Sequence, residues 1–343
     1  MNLKKYGWLV LLLPFGCKSS QQIAYKAINA DKALTTIAFG SCNRQDQPQP
    51  LWDDIIGDKP DLWVWLGDNI YGDTDDMTEL RDKYNWQKMQ TGYRQLLARV
   101  PIVGVWDDHD YGLNDAGKEY QQRGPSRDLM YEFLHVPANS PDRAHEGGYQ
   151  SYTFGPKGRK VKVILLDGRY FRDPLKKGPD GKANVPDPEG DILGAAQWQW
   201  LEEQLTGSDA QVHLIGCGIQ ILPEEHQVEK WANFPTARKR LFELLGKTHP
   251  AGTILISGDR HMAEMSRISL PGLPYPLYDI TSSGLTHTWS APGDEPNHLR
   301  VGKMVFKLNY GLLKIHWGEQ PLRVTASIRG DERQVYQTEE IRL

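Results

Sequence analysis

Leu62-Trp63-Val64-Trp65-Leu66-Gly67-Asp68-Asn69-Ile70-Tyr71-Gly72-Asp73 places five apolar residues directly before a segment with two glycines, two aspartates, an asparagine and a tyrosine around Ile70. A short, wholly apolar run with turn residues behind it suits a strand buried on both faces. The same design recurs along the chain. The apolar runs Leu34–Phe39, Ile102–Trp106, Val161–Leu166, Val212–Ile215 and Thr253–Ser257 are further expected strands. Amphipathic stretches at Met77–Val100, Arg127–Leu134, Ala195–Leu205 and Pro235–Leu245 are the expected helices. Strands alternating with helices define an α/β architecture. In the last 80 residues or so the pattern changes to alternating strands at Asp279–Ser282, Gly311–Trp317 and Arg323–Ile328. No internal repeat or low-complexity segment interrupts the chain.

Five of the runs end on chemistry. After Phe39 comes Gly40-Ser41-Cys42-Asn43, and after Leu66 comes Gly67-Asp68 through Asp73. After Trp106 comes Asp107-Asp108-His109-Asp110 with Asn114 beyond, after Leu166 comes Asp167-Gly168-Arg169, and after Ser257 comes Gly258-Asp259-Arg260-His261. Ligands of α/β sheets bind beyond the carboxyl ends of the strands, so these groups are expected to converge on one crevice. Any one of them is a plausible helix cap or turn. Five at five strand ends exceed what caps require. Adjacent carboxylates repel unless a positive charge lies between them, and a metal ion meets that need. Oxygen donors with one imidazole and one thiolate suit a mixed hard and borderline site.

Gly67-Asp68-x-x-Tyr71, Asp107-Asp108-His109 and Gly258-Asp259-x-His261 resemble the ordered blocks of the metallophosphoesterase superfamily. Ser41-Cys42-Asn43 stands in place of the usual Asp-x-His block, Asp108 in place of an Asn, and Asp259 in place of a His. These substitutions resemble the PhoD-type alkaline phosphatases. So do Leu166 through Arg172 and the stretch from Ile192-Leu193-Gly194 to Gln199-Trp200-Leu201. The likeness spans roughly residues 34 to 330. It implies a four-layer αββα sandwich, two central mixed sheets flanked by helices, over residues 33–343. It implies a hydrolase of phosphate mono- or diesters. Cys42, Asp68 and Tyr71 would be ligands of a ferric ion, with Asp68 bridging to a second, calcium, site made by Asp108, Asn114, Asp259 and His261. Zinc or manganese are alternative occupants. A metal-bound hydroxide would attack phosphorus in line, and His109 would stabilise a phosphoryl oxygen or protonate the leaving one. Arg169 would meet phosphate with its planar fork, or else pair with Asp167 or Asp173.

Two features depart from the family. Many members carry an immunoglobulin-like domain ahead of the catalytic one, whereas the first catalytic strand here starts near Leu34. Asp110 stands where Glu is more usual, so substrate preference does not carry over. A diesterase specific for phospholipid or cell-wall polymer head groups is one alternative reading. A surface lipoprotein that only binds its ligand is another.

Composition sets the outer bounds. The 343 residues are 39% hydrophobic, which excludes disordered and multi-pass membrane classes. With 33 Gly and 22 Pro, long structured loops are expected rather than a helical bundle. Phe171–Gly190 is the longest, a lid or a mobile decoration. At the amino terminus, Lys4 and Lys5 precede the apolar run Trp8–Phe15 and Gly16-Cys17. That is the pattern of a secretory signal over 1–16, and a Cys after the small residue resembles a lipoprotein site. Pro14 departs from that pattern, and an ordinary signal with a chance Cys is the alternative. On the lipoprotein reading, Cys17 is lipidated, residues 17–32 are a tether, and the protein is held at the cell envelope. Loss of Lys4 and Lys5 would take the net charge from −4 to −6, which argues against sequence-specific nucleic-acid binding. Of the other cysteines, Cys217 lies in an apolar run and Cys42 in a loop, settings that argue against a disulfide between them. Trp63, Trp65 and Trp106 read as core, whereas Trp231, Phe234 and Trp289 are candidates for a substrate cleft.

Overall fold

A computed structural model describes residues 23–289 and 295–343. The expected signal segment and Cys17 lie outside the described residues. Six strands form a first sheet, in spatial order β13 (Val335–Arg342), β12 (Arg323–Arg329), β11 (Tyr310–His316), β1 (Thr36–Gly40), β2 (Leu62–Leu66) and β3 (Ile102–Val105). Seven form a second, in the order β10 (Arg300–Val305), β8 (Ala263–Ile268), β9 (Leu277–Ser282), β7 (Thr253–Ser257), β6 (Val212–Cys217), β5 (Val161–Leu166) and β4 (Gln150–Phe154). Each sheet has a parallel run, β1-β2-β3 at one end of the first and β5-β6-β7-β9 in the centre of the second. Antiparallel strands complete both sheets.

Strand alternation assigns the layers. In β5, Val163 and Leu165 join the core shared with the first sheet, while Ile164 and Leu166 face the opposite way. The outward set packs under helices α6 (Gly194–Leu205) and α7 (Pro235–Thr248), through Trp198, Leu201, Leu241 and Leu245. On the first sheet, Trp63 and Trp65 meet Trp52 of α1 (Trp52–Gly57), and Trp65 also meets Tyr93 of α3 (Thr91–Leu97) and Phe133 of α5 (Arg123–Phe133). The expected helix-sheet-sheet-helix sandwich is therefore observed. Where the two sheets touch, Gly216 of β6 leaves no room for a side chain: an added Cβ would lie 2.9 Å from Leu165 and 3.0 Å from Leu66.

The expected strands stand in place, and the differences are informative. The stretch Met77–Val100 is two helices, α2 (Met77–Met89) and α3, with Gln90 in an extended conformation between them (ψ 128°). Gly92 accompanies the break and sets α3 so close to Trp52 that a Cβ would meet the Trp52 Cβ at 2.8 Å and its indole at 3.0 Å. The strands absent from the sequence reading, β4, β8, β10 and β13, lie at or beside sheet edges. In β13 only Ile341 is buried, so its polar sequence carries no strand signal. Part of the expected tether is docked: Lys26 N donates to Leu97 O (2.6 Å), Gly155 N to Ala30 O (2.7 Å), and Tyr25 stacks on His135. The expected cleft residues Trp231 and Phe234 are wholly buried in the α6–α7 core. Cys42 and Cys217 are buried free thiols, as their settings suggested.

Gly216→Val is expected to destabilise the protein by about 1–3 kcal/mol, because overfilling a tight intersheet contact forces both sheets to shift. Denaturant unfolding measures it, and an unchanged midpoint would contradict the close packing.

Candidate metal centre

The carboxyl ends of the parallel strands of both sheets meet at one edge of the sandwich. Glycines permit the approach. A Cβ on Gly67 would lie 2.3 Å from Asp107, one on Gly218 2.5 Å from the same aspartate, and one on Gly258 2.6 Å from Ser41. The residues following these strands are therefore forced together, although they are far apart in sequence.

Ligand-bearing atoms gather in three overlapping groups: Cys42, Asp68 and His261; Asp68, Asp108 and His109; and Asp107, Asp108 and Asp259. Within each group the atoms lie within 4.8 Å of one another. Cys42 Sγ is 3.3 Å from Asp68 Oδ2, and Tyr71 Oη is 3.4 Å from the same oxygen. Asp68 belongs to two groups and so sits between the thiol–phenol side and the carboxylate side. Four of these residues hold left-handed backbone, at φ 57° for Cys42, 48° for Asp68, 70° for Asp259 and 49° for His261. Such a conformation costs a non-glycine residue energy and persists where the surroundings impose it. The imposing bonds are visible. Asp110 accepts from the backbone N–H groups of Asp68 (3.0 Å) and Asp107 (2.7 Å), tying the ends of β2 and β3 together. Asn43 N donates to Asp68 O, and His261 N to Ser283 Oγ (2.7 Å).

The electrostatics call for a cation. Burial raises Asp68 and Asp107 well above the ordinary carboxylate range, and neighbouring aspartates add to the effect. Burial and Asp108 push Asp259 up to about 7. Asp108 opposes the trend, because Arg169, His109 and two backbone N–H bonds outweigh its desolvation. The Cys42 thiol and Tyr71 phenol are both driven up by burial and by nearby anions. Buried Asp68 Oδ1 and Asp107 Oδ2 have no hydrogen-bond partner among the described residues. Carboxylates that repel, orphaned oxygens and a thiol needing deprotonation together fit a centre built for metal ions.

His109 and Tyr71 complete the floor. The His109 ring lies against Tyr71, centroids 4.1 Å apart, and its Nδ1 donates to Asp73 Oδ1 (2.6 Å). Burial alone would lower His109, but Asp68, the bond to Asp73 and Asp108 reverse this and push it up to about 10. His261 differs from expectation in its placement: its Nε2 is 2.8 Å from Tyr71 Oη and it groups with Cys42 and Asp68. Asn114 is exposed on the wall of an adjoining cleft of about 250 Å³ that also reaches Asp108, His109, Asp259 and His261.

Arg169 requires a correction. Its side chain is wholly buried, with Nε on Asp107 Oδ1 (2.6 Å) and Nη1 on Glu229 Oε2 (2.7 Å). Neither its fork nor the alternative pairings with Asp167 or Asp173 matches this. The arginine balances charge beneath the aspartates and does not face the cleft. Asp167 instead organises loops, accepting from Trp106 Nε1 (2.8 Å) and the N–H groups of Gly148, Arg169 and Tyr170.

Sequence reasoning passed over His287, whose Nε2 is 3.0 Å from Tyr71 Oη and whose ring meets His261 at 4.3 Å. The available signal was the tail of β9, Ser282-Ser283-Gly284-Leu285-Thr286-His287, a further parallel strand ending in polar residues. Asp73 and Glu229 were missed as partners because their roles exist only through contacts distant in sequence.

Two buried sheets whose strand ends bring aspartates, a thiol, a phenol and imidazoles together define a metal-dependent phosphoester hydrolase. The PhoD-like phosphatase model matches residues 37–282, and the chain belongs to that family. Among solved structures, PhoD is similar with a TM-score of 0.70 at 17% identity, over 93% of this chain and 70% of PhoD. A dimetal phosphatase from Danio rerio is similar at 0.56 and 14% identity, over 91% of this chain and 99% of that one. GAP50, the anchor in the inner membrane complex of Plasmodium, is similar at 0.59 and 12% identity, over 91% and 90%. A search of curated proteins finds no match.

The raised pKa of Asp259 carries a signed prediction. A carboxyl held above its unfolded value of about 4 costs stability as pH rises, and the cost is complete above about 7. In metal-free protein at pH 8, Asp259→Asn should therefore raise the melting temperature, with little effect at pH 4. In metal-loaded protein the same change should lower it. Calorimetry with and without chelator tests both signs.

Proposed function

We propose that the protein is an exported hydrolase of phosphate esters held at the cell envelope by a lipid on Cys17. In this reading Cys42, Asp68 and Tyr71, with His261 beside them, hold ferric iron. Asp108, Asp259 and Asn114 hold calcium, and Asp68 serves both. The observation that carries the reading is the position of Asp68 in both the thiol group and the carboxylate group. When bound, the metals supply Lewis-acid polarisation of the phosphoryl group and a water of lowered pKa.

The chain's own groups have distinct parts. With Nδ1 bonded to Asp73, the other ring nitrogen of His109 is left for substrate. The hydrogen bond to Asp73 favours the protonated ring, which suits it to give a proton to the leaving oxygen. Arg169 acts at one remove: it holds Asp107 and lies 4.0 Å from Asp108, which steadies the two carboxylates between which a cation would sit. Tyr71, His261 and His287 share one hydrogen-bonded cluster that closes the thiol side.

Three measurements test this. Metal analysis of purified, truncated protein should find iron near one per chain, with calcium; zinc or manganese with activity would overturn the proposed role of Cys42. Paired assays on aryl monoester and diester substrates decide between a general phosphatase and a diesterase of phospholipid or cell-wall head groups. In either case Asp68→Asn should abolish nearly all hydrolysis.

A general acid fails once it loses its proton. Asp73→Asn removes a charge that raises the His109 pKa, so the alkaline limb of the rate profile should move to lower pH. His109→Ala should cost about 10²–10⁴-fold, more on alkyl than on aryl leaving groups, because a poor leaving group depends more on protonation. Equal losses on both would contradict the acid role.

A further inference from the structure

The cleft beside the metal centre has a wall that the chemistry above does not use. Trp289 is half exposed, yet it is fixed in place. Its indole N–H donates to Arg260 O (2.7 Å), its backbone N–H donates to His261 O (3.0 Å), and its ring lies against His261 with centroids 5.2 Å apart. An aromatic ring held this firmly beside a reacting centre costs little entropy to use as a contact surface. It lines the same cleft as Asp108, His109 and Asp259.

The same cleft also carries cations. The loop between β5 and α6 brings Lys177 and Lys182 into the cleft. That loop is pinned: Asn184 N donates to Gln227 O (3.0 Å), and Asp187 N donates to Asn233 O (2.7 Å). Lys177 Nζ bonds Asn184 Oδ1 (2.7 Å) and reaches Asp115 at 3.4 Å. Lys182 has no carboxylate partner among the described residues. Arg260, almost wholly buried in the cleft wall, pairs with Glu295 through one terminal nitrogen, while its Nε has no partner among the described residues. Of the cleft's acids, Glu229 is committed to Arg169 and Arg172, and Asp115 pairs with Lys177, which leaves Lys182 as the cation with no carboxylate partner among the described residues.

A fixed flat ring and a lysine without a carboxylate partner, lining one cleft, describe a ligand. We propose that this cleft is a leaving-group subsite, selecting phosphate esters whose leaving alcohol carries a planar ring and a further anionic group. The inference rests on the phosphoester-hydrolase reading of the adjoining centre. Trp289 contacts the ring of the leaving group, and Lys177 and Lys182 face its second charge.

The test compares methyl, phenyl and 4-carboxyphenyl phosphates on the full, metal-loaded protein, with binding of methylphosphonate and phenylphosphonate measured by calorimetry. Trp289→Ala should lower the phenyl-to-methyl ratio of kcat/KM by roughly tenfold, the worth of one stacked ring, chiefly through KM. Trp289→Phe should restore most of it. Lys177→Gln with Lys182→Gln should lower the carboxyphenyl-to-phenyl ratio several-fold, and added salt should erode that ratio in the wild type. Ratios that stay fixed in all variants would overturn the proposal, as would phenylphosphonate binding no tighter than methylphosphonate. A wild type that hydrolyses none of the esters, yet binds phenylphosphonate in a Trp289-dependent way, would sink the hydrolase reading and leave the subsite standing.

Discussion

Asp68, Asp107, Asp108 and Asp259 come from the ends of β2, β3 and β7, and their carboxylates crowd into a few ångströms of largely dry protein. Like charges at that spacing repel strongly, since little water lies between them to screen the field. Much of the surrounding structure answers that repulsion. Arg169 is buried beneath Asp107 and is itself balanced by Glu229. Asp110 gathers backbone N–H groups from two loops and holds the strand ends in register. The remaining imbalance is what a bound cation relieves, so affinity for metal and stability of the fold are linked in this protein.

The two-sheet sandwich makes that crowding geometrically available. A parallel strand delivers its following loop to one edge of its sheet. Two sheets packed face to face deliver two such edges side by side. Glycines at 67, 218 and 258 remove the side chains that would keep these edges apart. The left-handed backbone at Cys42, Asp68, Asp259 and His261 then turns each chain sharply where its strand ends. Strain at these positions is tolerated because buried hydrogen bonds on both sides define the turn.

The centre is asymmetric, and the asymmetry has chemical meaning. One side presents a thiol, a phenol and two imidazoles, the other mainly carboxylates with His109 beside them. Softer donors and hard oxygens favour different ions. His109 stands over the junction with its proton held by Asp73 on one nitrogen. The cleft opens away from that junction toward Trp289 and the lysines of the long loop, so a substrate's reacting and non-reacting parts meet chemically different walls.

Strand identity and strand-end chemistry were legible from residues alone, because a buried parallel strand is written as an unbroken apolar run and its functional loop follows at once. That was enough to bring Cys42, Asp68, Tyr71, Asp108, His109, Asp259 and His261 to one crevice. The break at Gln90 and the polar edge strand β13 were not legible, since close packing on Trp52 and pairing with β12 are contacts between distant segments. Nor was the choice of partner for a charged side chain. Arg169 has acids nearby in sequence, yet it turns to Asp107 and Glu229, each about 60 residues away. Local sequence sets which groups a strand end presents; only the packing of one sheet on the other decides which charges are left to face each other, because burial makes an unpaired charge too costly to leave alone.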